Sequence, residues 1–292
     1  MPETILVVGG TGMLGEPVVR QLIADGHHVR VLSRNSVGAG KIFSSMQNVT
    51  CFQGNVYELE SLRTAMENCT GVHINLSGGD LEAYGTQQVV KVAQGLVSRK
   101  MLRRITLISG VTTCKENCWY EGTKAKLQAE THLIESGFDY TIFRCTMFME
   151  TLPKWKFVLG EQPTKWHWLA ARDYARMVSK SFTTSESACK VLFLYGPEPA
   201  YTLKEAVDQF FIPICASDRC PIPNIPMQEL QTTTRTDVAG SPEKDISKFQ
   251  WLGKVRELGD PSEANDLLDA PTISLGDWCK DYLTKELQSK TS

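Results

Sequence analysis

A chain of 292 residues with a formal charge of −2 and 42% hydrophobic residues can bury a sizeable core, as one large domain or as a main domain with a smaller appendage. No basic run stands out, so composition offers no electrostatic footprint for nucleic acid or an anionic membrane surface. The early apolar run ILVVGG is short, follows no basic segment and meets glycines at once, so neither a signal peptide nor a membrane span is expected there.

Short β-branched runs alternate with amphipathic stretches through the first half. Strands are predicted at 4–9 (TILVVG), 28–33 (HVRVLS), 49–54 (VTCFQG), 71–77 (GVHINLS), 103–109 (RRITLIS) and 139–144 (DYTIFR). Helical patterns between them imply parallel strands joined by crossover helices. The first helix is expected from Met13 to Asp25, stopped by Gly26, with Pro17 in its first turn, where proline costs least. After RCTMFME the rhythm loosens into a Trp-rich stretch broken by Pro153, Gly160 and Pro163. RDYARMVSKSF and TLKEAVDQFF then read as helices, KVLFLYG as a strand, and the tail from about Ser241 as mostly helical. The nine cysteines are odd in number and scattered, which predicts reduced thiols in an intracellular, cytoplasmic protein. Cys114 and Cys118 lie closest together, but no second pair stands at ligand spacing and no metal is expected.

Directly after the first strand, GGTGMLG spaces Gly9, Gly12 and Gly15 three apart ahead of a helix. Such glycines serve a tight turn, close approach of backbone to a pyrophosphate, and close packing of helix on strand. The helix N-terminus adds N–H groups and partial positive charge. The second strand ends in Ser33, Arg34 and Asn35 with no acid. A carboxylate at that tip would repel a ribose 2′-phosphate, whereas an arginine pairs with it, so NADP(H) is favoured over NAD(H).

With VVGGTGMLGEPVVRQLIADGHHVRVLSRN at the start and KLQAETHLIESGFDYTIFRCTMFME in the middle, the chain resembles the NmrA-like group of atypical short-chain dehydrogenase/reductases. The resemblance continues more weakly through RDYARMVSKSF and LYGPEPAYTLKEAVDQF. It implies an α/β fold, a doubly wound parallel Rossmann sheet with a small C-terminal substrate-facing portion. Residues 1–150 would form the dinucleotide-binding domain and 151–292 a smaller, mostly helical substrate portion, with 168–213 partly completing the Rossmann core. It further implies that Gly9, Thr11, Gly12, Met13, Leu14 and Gly15 form the phosphate loop and that Arg34 meets the 2′-phosphate. Leu76, Ser77 and Gly78 would line the adenosine and ribose path, with Ser109 and Gly110 near the nicotinamide. Two departures stand out: Asn55 where the family often has Asp, and Cys145 after Arg144 where the family has proline.

Reductases of this superfamily pair a proton-donating tyrosine with a lysine one helical turn later, and Tyr120 and Lys124 have that spacing. Taking about 100° per residue with Tyr120 at zero, Lys124 falls near about 40°, while Lys126, at about 240°, sits amid Ala125, Leu127, Ala129, Leu133 and Ile134. Glu130 lies beside it. The family register also places Lys126 and Glu130 on its Lys and Glu positions and puts Gly122 in the tyrosine slot. Lys126 is therefore the candidate for a cofactor-ribose contact and proton donor, with a structural pair to Glu130 as its alternative; Tyr120 could still reach the site from a non-ideal first turn. Met147, Phe148 and His167 are candidate substrate-pocket residues. The expected function is an NADP(H)-dependent reductase of a small unsaturated or carbonyl compound such as a quinone or enone. The alternatives are a redox-sensing regulator acting through a protein partner, or a cofactor-bound assembly factor. No nucleic-acid or membrane partner is expected.

Overall fold

The computed structural model describes residues 2–215, 220, 222–226 and 242–291. Among them no helix is long and apolar enough to cross a membrane. Seven strands form one sheet: β1 (Thr4–Val8), β2 (His28–Ser33), β3 (Val49–Gln53), β4 (Gly71–Ile74), β5 (Arg104–Gly110), β6 (Tyr140–Cys145) and β7 (Lys190–Leu194). Their order is β3-β2-β1-β4-β5-β6-β7, every pair parallel. This is the doubly wound Rossmann arrangement. The order reverses between β1 and β4, where the crevice beyond the strand ends opens.

Burial explains the composition of the central strands. Ile5, Leu6, Val7, Val72, Ile74 and Ile105 are buried because helices cover both faces, which removes the polar–apolar alternation of a one-sided sheet. Four helices follow the early strands: α1 (Gly15–Ala24), α2 (Ser36–Ile42), α3 (Leu59–Met66) and α4 (Asp80–Gln94). Then come α5 (Glu121–Ile134) and α6 (Ala171–Ser181). One core joins β1, β4 and β5 to α3, α4 and α5 through Leu62, Met66, Val89, Ala93, Ala129 and Leu133. Each such aliphatic side chain contributes about 1.5–3 kcal/mol when fully buried. On the opposite side α1 packs against α6.

The differences from the sequence-based boundaries cluster at the strands' C-terminal ends. β4 stops at Ile74 rather than Ser77, because the chain turns out of the sheet through Gly78 and Gly79, both at positive φ. The first helix begins at Gly15, two residues later than expected, because Met13 and Leu14 belong to the loop; Pro17 remains in the first turn.

The chain divides into two compact units: residues 1–145, 171–194 and 259–270, and residues 146–170, 195–258 and 271–292. The helix α9 (Ser262–Leu268) belongs to the first. The second contains α7 (Leu203–Ile214), α8 (Pro242–Leu252) and α10 (Leu275–Thr291). Thr202 and Glu205 form a capping box that starts α7; each side chain satisfies an N–H that the first turn leaves free. Phe210 packs on Trp278 and Tyr282 at centroid separations of 5.7 and 5.1 Å. The expected helical tail agrees with α8, α9 and α10; Ser241 itself lies outside the described residues.

Candidate functional site

The glycine loop shows a separate steric reason at each of its three positions. Gly9 has φ +84°, and a Cβ there would stand 2.2 Å from the Asn75 carbonyl oxygen. At Gly15 a Cβ would meet the Gly9 oxygen at 2.1 Å, so helix α1 rests directly on the turn. Gly12 is exposed, and its Cβ would come within 3.3 Å of the Gly9 oxygen. No side chain caps α1, since Leu14 at its N-cap has no acceptor to offer. Thr11 is exposed beside this turn, and Met13 is half-buried.

A cleft of about 740 Å³ runs from this loop past the ends of β2, β3 and β4. Gly9, Thr11, Gly12, Ser33, Arg34, Asn35, Leu76 and Ser77 of the predicted set line it; Met13, Leu14, Gly15 and Gly78 are not among its lining residues. Reasoning from sequence missed Asn75, Val56, Tyr57 and Leu81 in the wall, and their position just beyond strand ends was the available signal. Ser33 is engaged locally, its Oγ donating to the Asn35 carbonyl at 3.1 Å and accepting the Asn35 N–H at 3.2 Å. The Asn35 side chain caps α2 by accepting the Gly38 N–H at 2.9 Å. Only the Arg34 carbonyl is held, by Gln53 Nε2 at 2.7 Å; its exposed guanidinium has no ion pair among the described residues.

A second cluster gathers at the ends of β5 and β6. The Lys126 stem crosses Gly110 so closely that a Cβ there would stand 3.2 Å from Lys126 Cδ. Its partner is not Glu130 but Glu82 of α4: Lys126 Nζ donates to Glu82 Oε2 at 3.0 Å. The other Glu82 oxygen accepts the Gly78 N–H at 3.2 Å, which ties the turn after β4 to the lysine. Glu82 was missed in the sequence, although an acid four residues after Gly78 on the buried face of α4 was the clue. Glu130 is 1% exposed and is matched by Arg144, whose Nε and Nη2 donate to its two oxygens at 2.9 and 2.6 Å. Ser109 Oγ donates to the same carboxylate at 2.5 Å. A buried charge held this way is satisfied on every side. Lys124 is exposed, as the wheel predicts, but Ile134, counted there in the apolar face, is 44% exposed.

Tyr120 does not belong to the helical wheel. It is the N-cap of α5, with extended backbone at φ −93° and ψ 121°. Its ring folds over Gly122, where a Cβ would come 2.8 Å from Tyr120 Cε1. The ring therefore covers the empty tyrosine slot instead of occupying it. Burial, and then the negative charge of Glu82, push the Tyr120 hydroxyl above the usual tyrosine value. That is the opposite of what a neighbouring free ammonium would do.

In the second unit Trp166 and Trp168 are buried. His167, between them, faces the other way, as alternation along an extended segment requires. Its Nδ1 lies 2.6 Å from Glu257 Oε2 and its Nε2 2.8 Å from Glu198 Oε1, while its N–H donates to Glu257 Oε1 at 2.9 Å. Thr146 also donates to Glu257. A carboxylate at each ring nitrogen favours the imidazolium, in which both nitrogens donate. Burial opposes that charge, but the hydrogen bonds and charges of Glu257 and Glu198 outweigh it and raise the His167 pKa. Phe148 is buried and bridges to Leu169, and the half-buried Met147 accepts the Leu169 N–H through its carbonyl at 2.9 Å. All nine cysteines are free thiols; Cys118 Sγ donates to the Cys114 carbonyl at 3.3 Å. No group of three or more potential metal ligands occurs among the described residues.

Comparison with known proteins agrees with this geometry. Residues 9–181 match the NAD(P)H-binding family. The photosystem II assembly factor Ycf39 of Cyanophora paradoxa is 25% identical over 205 residues, 66% of this chain and 63% of that protein. Ycf39 of a Synechocystis strain is 43% identical over 152 residues, 51% of this chain and 46% of its own length. The chain thus spans about half to two thirds of these relatives. An Escherichia coli NADPH-dependent quinone oxidoreductase, crystallised with NADPH, has the same fold: TM-score 0.73 at 18% identity, covering 95% of this chain and 99% of that one. The glycine turn, the sheet order and the family match together make the chain a member of the NAD(P)H-binding family.

Proposed function

We propose that the protein binds NADP(H) in the cleft beside the glycine loop and reduces a small acceptor, such as a quinone or enone, that takes its proton from water. The observation that carries this reading is the cleft itself, with close-packed glycines at one end and the exposed Arg34 at the other. Both ends suit a dinucleotide: backbone and helix N-terminus for the pyrophosphate, a planar cation for the 2′-phosphate. When bound, the reduced nicotinamide supplies a hydride. Gly9, Thr11, Gly12, Met13, Leu14 and Gly15 hold the phosphates, Leu76, Ser77 and Gly78 follow the adenosine and ribose, and Ser109 and Gly110 flank the reactive end. Lys126 is a ribose-positioning residue whose charge is already balanced by Glu82, and Tyr120 is a poor acid. An acceptor whose reduced form is only weakly basic needs no protein acid, which favours quinones within the class. Met147, Phe148 and His167 remain proposed pocket residues.

The test is a titration with NADPH and NADH followed by turnover with a panel of quinones and enones, reading loss of nicotinamide absorbance. Arg34→Ala is expected to weaken NADPH binding about tenfold or more, from loss of charge-assisted hydrogen bonds, and to leave NADH binding unchanged. Equal loss for both cofactors would remove the NADP preference. A second reading, an NADP(H)-binding factor that acts through a protein partner, is favoured by the Ycf39 relatives named as photosystem II assembly factors. Tight NADPH binding with no oxidation across the panel selects it.

A further inference from the structure

The wall of the cleft beyond β3 carries a feature that the phosphate loop and Arg34 do not account for. Tyr57 is the one aromatic residue among those lining the cleft, and its side chain is 61% exposed. Tyr84, from α4, stacks on it at a centroid separation of 5.2 Å and an interplanar angle of 22°, and is itself 41% exposed. A large ring left mostly in water is common singly. Here two rings stack on one another at the rim of a nucleotide-sized cleft, so the second ring backs the first and leaves its other face for a ligand.

The segment before Tyr57 explains why the ring stands there. Asn55 closes an Asx turn by accepting the Tyr57 N–H through Oδ1 at 2.8 Å. Its Nδ2 donates to Glu58 Oε1 at 2.6 Å, and the Glu58 N–H returns to the Asn55 carbonyl at 3.2 Å. Both ends of the Asn55 amide are therefore engaged in holding the turn that leads into α3. The Asn55 side chain is thus committed to backbone geometry, and recognition of a base at this wall falls to the neighbouring ring.

We infer that Tyr57, backed by Tyr84, is a stacking platform for the adenine of the dinucleotide, and that Asn55 is the positioning residue that presents it. The inference rests on the cofactor reading above. Gly54, Val56 and Leu81 line the same cleft and offer the base an apolar surround, while the glycine loop and Arg34 answer the charged parts of the same ligand. Stacking on an aromatic face tolerates any purine orientation and adds affinity without hydrogen bonds.

The experiment measures binding of three probes to the full chain: NADPH, adenosine 2′,5′-bisphosphate and reduced nicotinamide mononucleotide. Tyr57→Ala is expected to weaken the first two by the same factor, about tenfold, and to leave the mononucleotide unchanged; Tyr57→Phe restores wild-type affinity. Tyr84→Ala produces a smaller loss for the same two ligands. Wild-type affinity of Tyr57→Ala for the bisphosphate, or an equal loss for the mononucleotide, overturns the platform while leaving the cofactor reading intact. Failure of the wild-type chain to bind NADPH and the bisphosphate removes both. Tyr57 is exposed and outside the core, and thermal melts of the variants check that folding is preserved.

Discussion

The turn after β1 and the first turn of α5 are both short, both lie at the end of a strand or the start of a helix, and both were candidates for chemistry. They behave differently. At Gly9 and Gly15 the neighbours are backbone atoms of Asn75 and of the turn itself, so main-chain atoms dictate the shape whatever side chains surround it. At Tyr120 and Lys126 the backbone is ordinary. What the residues can do is decided by packing and by Glu82, about 40 positions earlier in the chain: burial, and then that carboxylate, raise the tyrosine pKa, and the same carboxylate claims the lysine. A motif built of backbone is indifferent to the side chains around it; one built of charges belongs to whatever charge packs against it.

Four experiments press on that contrast. The largest effect is expected where a distant charge is both buried and indispensable. Arg144→Met leaves Glu130 without its bidentate partner and should destabilise the first unit by about 3–5 kcal/mol, read by denaturant unfolding; a loss below about 1 kcal/mol would show that water replaces the arginine. Next is Gly15→Ala, which forces a Cβ against backbone and should cost about 1–3 kcal/mol, with NADPH affinity falling in parallel. A folded variant that binds normally would mean the turn is not the rigid cradle described.

The third concerns His167. Its pKa is raised in the folded chain, so its clamp on Glu257 and Glu198 contributes fully below the unfolded histidine value of about 6.5 and is lost as pH rises through the higher folded value. The exposed Glu198 has a lowered pKa, set first by its hydrogen bond to His167, so its share is lost on the acid side as pH falls. Wild type should therefore lose more stability than His167→Gln as pH rises above the unfolded histidine value of about 6.5, with the imidazole titration followed directly by NMR. Parallel stability curves for the two proteins would rule the clamp out. Smallest is Tyr120→Phe, expected to change NADPH oxidation by less than about twofold, since general acid catalysis is commonly worth about 10²–10⁴ in rate. A hundredfold loss would restore the tyrosine as the acid.

The glycine spacing and the alternation of strands and helices were legible in the sequence because each depends on neighbours within a few residues. The Lys126 assignment was half legible. Helical periodicity turned Lys126 inward and Lys124 outward, as found, but the only structural partner it could offer as an alternative to the cofactor was Glu130, because both sit on one helix. Glu130 instead answers Arg144, which β6 brings alongside α5, and periodicity within one helix carries no information about a neighbouring strand. The wheel also misjudged Ile134, since an apolar residue in the last turn of a helix meets solvent once the sheet beneath it ends. His167 shows the same limit: the sequence offered it as a pocket candidate between two tryptophans, and only the fold brings its imidazole to two glutamates 31 and 90 residues away in sequence.

By itself, then, the amino-acid order determined the parallel sheet, the glycine turn and the absence of an acid beside Arg34. All of these follow from φ/ψ preference, side-chain volume and short-range periodicity. Only the tertiary structure decided that Glu82 holds Lys126, that the Tyr120 ring lies over Gly122 instead of filling its slot, and that Tyr57 and Tyr84 meet at the cleft rim. Electrostatic and ring contacts depend on which elements the sheet order brings together, and that distance is set by the whole fold.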